Sequence, residues 1–515
     1  MQKEKEYIVG RDMRALRLES TGEYSLPDYN GDVKRVLAVK TRLTPAGSFV
    51  GEDTLDISGT VAYDVVYVDA DDIISHAEFS TDYDASVRIS PDVYVDSDVR
   101  ARVVGCNMRL VGPRKLLVKC SLDADVSISE KRGYYVGGDA FIEYEPELVT
   151  ATAEVYAPSF IRGEAREMSE EITSLDGVIS DEIEVLLSDA IFILDSLVEG
   201  EESVEIKGSI KASILYRSGE DVPRLMTKAM PYTAVVSLPD AELSDTEPHV
   251  SIGNVRAVVQ PTDDGVSLAL TLTVTPSLIS RSNRTLELVS DAYLKERGSE
   301  NEYIELGYTE HVASERCEST LSSEVPLSEV GIESGGEVVW ADATAKVDGC
   351  EVVDGGVRVE GEIRFAGIVC QTNDDMAPIC HPIKFNIPFN ENVNINCQNH
   401  SNLRAECNVC AIEPEIKIGE SILTASCTVV MSATVMTEKR QRCLGSSYLT
   451  DEEYVKDASV VTVYYPDPSE SLFDIAKRFH TSVGAIAVSN RLAESVSSYS
   501  DRPLGTSGVN KLIIK

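Results

Sequence analysis

The chain has 515 residues, 43% of them hydrophobic, and sets 47 Lys and Arg against 86 Asp and Glu for a formal charge of −39. That charge excludes nucleic acid or an anionic membrane surface as the principal partner. Its interleaving with apolar residues describes a folded acidic surface and not a disordered tail. A chain this long holds several domains, and no run nears the roughly 18 apolar residues of a membrane span.

The lysines at the N-terminus are followed by no apolar segment, so no secretory signal is expected and the protein is read as starting in the cytosol. Leu26-Pro-Asp-Tyr marks a turn, and Val33, Val36 and Leu37 behind it stand at helical spacing, which predicts one or two turns of helix. In residues 55–67, Leu55, Ile57, Val61, Tyr63, Val65 and Tyr67 alternate with mostly polar neighbours, the pattern of a strand with one buried face. The chain repeats this strand at 204–216 and again at 357–369. Each copy carries a glycine on its apolar side, Gly59, Gly208 or Gly361, and a glycine inside a strand predicts a bulge or the close approach of another backbone.

Counting from those glycines exposes the repeat. Asn107 follows Gly59 by 48 residues, Asn254 follows Gly208 by 46 and Asn408 follows Gly361 by 47, with an aromatic closing each unit at Phe141, Tyr293 and Tyr448. A period of about 150 residues describes tandem domains and is too long for a solenoid. The fold class is therefore mainly β: three antiparallel sandwich-like or open-barrel-like modules at 1–150, 151–298 and 299–452. Between them, 164–197 reads equally as a helix or as a first strand of the second module. Residues 313–339 hold short elements, and 451–459 form a polar connector.

The tail, 460–515, has its own pattern. Val461, Val463 and Tyr465 alternate as a short strand that Pro466 and Pro468 end. Leu472, Ile475, Ala476 and Phe479 then take helical spacing behind Ser469 or Ser471 as N-cap. A second helix uses Val483, Ile486, Ala487 and Asn490, and 512–514 is a closing strand. The order is strand, helix, helix, strand.

Eleven cysteines are present, nine of them in the third module, and a disulfide framework needed for folding would be shared more evenly. Cys407 and Cys410, with Cys380, His381, Cys397 and His400 nearby, have the look of zinc ligands. Residues i and i+3 of a strand face opposite ways, however, and no Gly or Pro supplies a knuckle, so the pair reads as one packed and one exposed thiol. No metal site is expected. The six histidines are scattered, no nucleophile motif, Walker loop or dinucleotide fingerprint occurs, and the Asp-rich turn at 69–72 has no EF-hand spacing. No catalytic residue, enzyme activity or cofactor is expected.

The tail, with Val463-Tyr-Tyr, Glu470-Ser-Leu-Phe, Thr481-Ser-Val and Asn490, resembles the LysM domain, whose members typically bind N-acetylglucosamine glycans. It departs from the family in carrying Ser469 for the usual glycine and Phe473 for the usual tryptophan. The upstream units, through Leu26-Pro-Asp-Tyr, Val33-Lys-Arg-Val-Leu and the glycine strand, resemble SPOCS domains, the repeats of clostridial spore coat morphogenetic proteins. The combination implies a scaffold or adaptor in the mother-cell cytoplasm at the forespore surface, whose tail docks a coat basement-layer ATPase or similar coat protein. Peptidoglycan glycan is the alternative ligand, with no nucleic acid and no membrane insertion. By analogy with LysM grooves the recognition residues are Ser469, Glu470, Ser471, Leu472 and Asn490, with the turn after Asn490.

Overall fold

The computed structural model describes residues 3–28, 30–44, 46–172, 183–219, 222–237, 245–262, 265–332, 335–372, 378–397, 402–455, 460–492, 502–504 and 509–515. The protein is mainly β, and none of its sheets closes into a barrel. The first stretch contributes β1 (Lys3–Ser25), β2 (Val33–Leu43), β3 (Gly47–Val50), β4 (Thr54–Asp69), β5 (Ile74–Arg88), β6 (Tyr94–Gly112), β7 (Lys115–Val136) and the short helix α1 (Asp139–Glu143). The second contributes β8 (Glu147–Tyr156), β9 (Ser159–Arg162), β10 (Arg166–Ile172), β11 (Ile183–Glu199), β12 (Ser203–Ser218), β13 (Arg224–Ser237), β14 (Thr246–Thr262), β15 (Gly265–Ser280) and β16 (Asn283–Tyr293). The third contributes β17 (Arg297–Pro326), α2 (Leu327–Val330), β18 (Glu337–Val353), β19 (Gly356–Thr372), β20 (Pro378–Asn394), β21 (Leu403–Ile418) and β22 (Ile422–Glu453). The tail supplies β23 (Thr462–Tyr464), α3 (Leu472–Arg478), α4 (Val483–Asn490) and β24 (Leu512–Ile514).

Every named sheet draws its strands from one of these stretches. In the first, β1-β7-β6 faces β2-β4-β5 with β3 beside β4; in the third, β17-β22-β21 faces β18-β19-β20. The second makes the same pair of layers from β11-β12-β13 and from β10-β15-β14, with β9 on β15 and β8 on β16. The segment left open between helix and strand is thus strand where it is described, in β10 and β11, while 173–182 lies outside the described residues. Likewise 451–453 prolong β22 and are not connector, and 456–459 lie outside the described residues.

The helix expected at Val33–Leu37 is strand β2. Its register slips between Val33 and Arg35 and again between Val36 and Ala38, so two bulges interrupt the period of two and mimic a helical spacing. The same device recurs. β11 slips between Val185 and Leu187 and β18 between Val338 and Trp340. The extra residues, Leu37, Leu186 and Val339, are all buried, and they meet in one cluster with Ala38, Leu187 and Trp340 and with Val66, Leu215 and Ile368. Each trio holds one sequence position in the three glycine-strand units, so the units are arranged around a pseudo-threefold axis.

The strand contacts go round that axis in one sense. β2 packs on β19 and β20, β18 on β13, and β11 on β4 and β5, which returns to the first unit. A head-to-tail contact that comes back to its start makes a ring. Above the apolar cluster, Lys40 Nζ lies 2.8 Å from Asp189 Oδ2 and 2.8 Å from Asp342 Oδ1. At the far ends of the long strands Tyr134 of the first unit ties the ring again, sharing its hydroxyl proton between the carbonyls of Val289 and Leu444 and accepting from the Val289 N–H.

The three glycines are where a side chain will not fit. Gly59, Gly208 and Gly361 pair with Tyr83, Tyr232 and Phe389, and an aromatic ring lies over each glycine, that of Tyr83 at Gly59, Phe192 at Gly208 and Phe389 at Gly361. A Cβ would stand 2.4 Å from the Tyr83 hydroxyl, 2.3 Å from the Ile193 carbonyl oxygen and 2.2 Å from the Lys346 carbonyl oxygen. On the opposite side β11 bulges between Leu194 and Ser196, and β18 between Val347 and Gly349. At Gly208 and Gly361 both expected causes, a bulge and a close backbone, are present together, whereas at Gly59 the crowding comes from the Tyr83 side chain.

The thiol pair behaves as strand geometry requires: Cys407 is buried and Cys410 exposed, and among the described residues no cluster has the make-up of a metal site. His400 lies outside the described residues. One disulfide does exist, Cys370–Cys380, linking directly opposed residues of β19 and β20 inside the central cluster. It is a local staple, not a framework, and the other nine cysteines are not disulfide-bonded. Among the described residues no helix is long and apolar enough to cross a membrane.

Candidate recognition site in the tail

The tail forms the strand, helix, helix, strand unit expected of it, with β23 antiparallel to β24. Helix α3 begins where Ser471 accepts from the Asp474 N–H and Asp474 bonds back to the Ser471 N–H, a reciprocal capping box that satisfies two of the first-turn amides. Ser482 caps α4 by a single bond, accepting from the Ala485 N–H. Leu472, Phe473, Ile475 and Ala476 point into a small core with Ile486, Leu504, Leu512 and Ile514.

Each candidate residue has a definite place. Ser469 is exposed, and its N–H and hydroxyl both donate to Asp467 Oδ1, a local turn that orders the segment after Pro468. Glu470 is drawn inward, its carboxylate accepting from the Asp467 N–H, from the Tyr464 hydroxyl at 2.7 Å and from Arg478, whose Nη2 lies at 2.6 Å. Burial works against the charge, yet these donors hold the Glu470 carboxyl below the usual range. Ser471 is spent on capping and Leu472 is core. Asn490 is fully engaged, donating to the carbonyls of Ile486 and Ile513 and accepting from the Ile513 N–H at 2.6 Å, so it fastens the end of α4 to β24.

Ser469, Glu470 and Ser471 thus share one loop, while the Asn490 side chain is bonded to Ile486 and Ile513. What lies beside the Ser469–Ser471 loop is the segment before β24: Ser471 bridges Pro503, and the Leu504 N–H donates to the Glu470 carbonyl. Of the turn after Asn490, Arg491 takes a left-handed conformation that ends α4, and 493–500 lie outside the described residues. Tyr464 and Arg478, which fix Glu470, were not singled out in the sequence. Their only trace there is an aromatic in the strand and a cation in the last turn of the helix that follows.

A second feature escaped the sequence altogether. The tail is seated on the end of β16, where Tyr293 is buried in the tail's own core, packs edge-on against Phe473 at 5.1 Å and donates to the Thr481 carbonyl at 2.6 Å. Lys477 bonds to Asp291 at 2.5 Å, and Tyr454 stacks on His480 at 3.4 Å. On the open side, Val461, Val463 and Tyr465 remain about half exposed or more, at 55%, 49% and 70%.

Three sandwich-like repeats closed in a ring, with a small α/β tail fixed to one of them and its polar loop groups bonded internally, define a β-repeat protein. Residues 336–417 match the family model of the SipL SPOCS domain. They run from just before β18 through nearly all of β21 and include the Gly361 strand, so the match falls on the third of the three equivalent units. It points to a role in sporulation, in the spore coat. No curated protein and no solved structure matches the chain.

Proposed function

We propose that the protein is a non-enzymatic scaffold of the spore envelope, acting in the mother-cell cytoplasm at the forespore surface, with three SPOCS-type units forming a rigid ring and a LysM-like tail docking a coat basement-layer protein. The SPOCS match supports the first part of the reading. One observation carries the choice of a protein over a glycan as the tail's ligand. The polar groups of Ser469, Glu470, Ser471 and Asn490 are committed to internal hydrogen bonds, whereas the row Val461, Val463 and Tyr465 lies open. Sugar hydroxyls need polar partners, and an exposed apolar row suits a protein surface.

The test is binding of the purified full-length chain to a purified coat basement-layer ATPase, in parallel with sedimentation on insoluble peptidoglycan. Binding to the ATPase that Val463→Glu with Tyr465→Glu abolishes is the expected result. Co-sedimentation with peptidoglycan at the level of an ordinary LysM protein would instead favour the wall-binding alternative, with the ring as a spacer.

A further inference from the structure

Among the described residues, two pairs of cysteines stand directly opposite each other on neighbouring strands. Cys370 and Cys380 are bonded, whereas Cys106 of β6 and Cys120 of β7 are not. The unbonded pair belongs to the first unit alone. In successive units the residue before the repeat asparagine is Cys106, Gly253 or Cys407, and it lies opposite Cys120, Thr273 or Ala433. The fold accepts Gly with Thr or Cys with Ala at this place, so packing alone does not call for two sulfurs.

The two thiols differ in access. Cys120 is buried in the core of the first unit with Val118 and Leu122, while Cys106 is partly exposed. They act on each other. The Cys106 S–H holds the Cys120 thiol below the usual thiol range, and the same contact, with burial, makes Cys106 keep its own proton. An accessible thiol backed by a buried, more readily ionised one is suited to exchange and resolution. Beside Cys106, β6 bulges between Val103 and Gly105, and the carbonyl of the extra residue, Val104, accepts from Arg364 of β19 at 2.6 Å. The pair thus lies against the seam between the first and third units.

We propose that Cys106 and Cys120 are a redox site, which forms a reversible disulfide by exchange with a low-molecular-weight disulfide and so fastens β6 to β7 beside this seam. As Cys106 attacks one sulfur of the reagent R–S–S–R, its proton passes to the Cys120 thiolate, the reagent's S–S bond breaks and one R–S⁻ leaves. Cys120 gives that proton to the departed thiolate, attacks the Cys106 sulfur and expels the second R–S⁻, which takes from solvent the proton that Cys120 first released. Cys106 and Cys120 lose two electrons, and the reagent gains them as two R–SH. A bond across this short loop removes freedom from the unfolded chain, so the oxidised protein melts higher than the reduced one.

The test equilibrates the full-length chain with oxidised glutathione, quenches it in acid, blocks the remaining thiols with N-ethylmaleimide in urea and digests it with trypsin in the absence of reductant. Cleavage after Arg102, Arg109, Lys119 and Lys131 puts the two cysteines on separate peptides, 103–109 and 120–131. Mass spectrometry should find these two peptides linked, and excess reduced glutathione should part them. Cys120→Ala copies the Cys407–Ala433 pairing of the third unit and so keeps the fold; in it the reaction should stop at a mixed disulfide of glutathione on Cys106. The melting temperature should rise by several degrees on oxidation of the parent chain, and by less in Cys120→Ala, where this bond cannot form. Absence of the linked peptides at every glutathione ratio, their appearance only in chain unfolded by urea, a preferred link from Cys106 to another cysteine, or equal melting shifts in the two chains would overturn the assignment.

Discussion

Lys40 donates to Asp189 across 2.8 Å, and the two residues hold the same place in successive units. They pair with Asp64 and Ser213, each the fifth residue after its unit's glycine; Asp342, the third member, pairs with Ala366, again the fifth. One equivalent position thus carries one cation and two anions, and the three meet where the ring closes. Three identical units would place like charges there, so the substitution of a lysine in the first unit is what lets the ring shut. Burial opposes the Lys40 charge, but Asp189 and Asp342 hold its ammonium well above the usual lysine range, and it stays charged throughout the physiological range.

Lys40→Met is therefore expected to unfold the ring and not one unit alone. Removing one member of a buried ion cluster costs about 3–5 kcal/mol, because the remaining charges are left uncompensated. Replacing all three, Lys40→Leu with Asp189→Leu and Asp342→Leu, should recover most of the loss. Urea unfolding of the two variants checks this, and a triple variant no more stable than Lys40→Met would sink the argument.

The aromatic residues paired with the glycines yield a prediction by comparison among units. Among the described residues the buried Tyr83 and Tyr232 hydroxyls have no hydrogen-bond partner, and Phe389, which carries no hydroxyl, fills the same place in the third unit. Tyr232→Phe should be neutral or stabilise by about 1 kcal/mol, since an unsatisfied buried hydroxyl is removed and the ring kept. Gly361→Ala should destabilise by about 1–3 kcal/mol, the range for overpacking, as its Cβ meets the Lys346 carbonyl oxygen. Gly253→Ala, where a Cβ meets nothing within 4 Å, is the control. Thermal melts of the three variants give the order.

Two carboxylates at the seams set opposite pH dependences. Burial opposes the charge of Glu247, but Arg281 at 2.6 Å and Arg100, from the first unit, at 3.6 Å hold its carboxyl down at about 2. Its folded pKa lies below the unfolded value near 4.3, so its contribution is complete above that value and is lost as pH falls from there to about 2. At Asp64 burial outweighs Arg42, and the carboxyl is pushed up to about 6. There the folded state binds the proton more tightly, and stability declines as pH rises from about 4 to about 6. Glu247→Gln should flatten the acid limb of a stability-against-pH curve measured in urea, and Asp64→Asn should flatten the limb between pH 4 and 6. An unchanged curve in either variant would contradict the assigned cause.

How much of this was legible follows from the physics of each signal. Alternation gave the strands wherever the backbone is regular, as in 55–67, 204–216 and 357–369. It misled at Val33–Leu37 because bulges add a residue to the period, and a bulge leaves no residue-type mark when Leu or Val fills it. The glycines announced a tight place and supplied the repeat, because only glycine fits under a ring and beside a carbonyl. Ring closure left no local trace: Lys40, Asp189 and Asp342 are each unremarkable in their own segment and acquire meaning only when the three units are superposed. In the tail, the helices and caps could be read from spacing, but the hydrogen bonds that occupy Glu470 and Asn490 join residues from 3 to 23 positions apart, and the longest of them lie beyond any periodic pattern.

The seat of the tail on Tyr293 gives the last prediction. Tyr293 is an end-of-strand residue of the second unit, yet it is a core residue of the tail, with 3% of its surface exposed. Truncating a buried aromatic to alanine typically costs about 3–5 kcal/mol, and here that cost falls on the contact between tail and ring. The ring has its own cores and its own ionic seam, so Tyr293→Ala should free the tail while the ring keeps its melting transition. Tyr293→Phe removes only the bond to the Thr481 carbonyl and should loosen the tail by about 1 kcal/mol. Limited proteolysis resolves the two cases: in Tyr293→Ala cleavage near residues 454–461 should accelerate and release the tail, and in Tyr293→Phe it should change little. If Tyr293→Ala cuts no faster than the parent chain, the tail is held by Lys477–Asp291 and Tyr454–His480, and Tyr293 is a passenger at the joint.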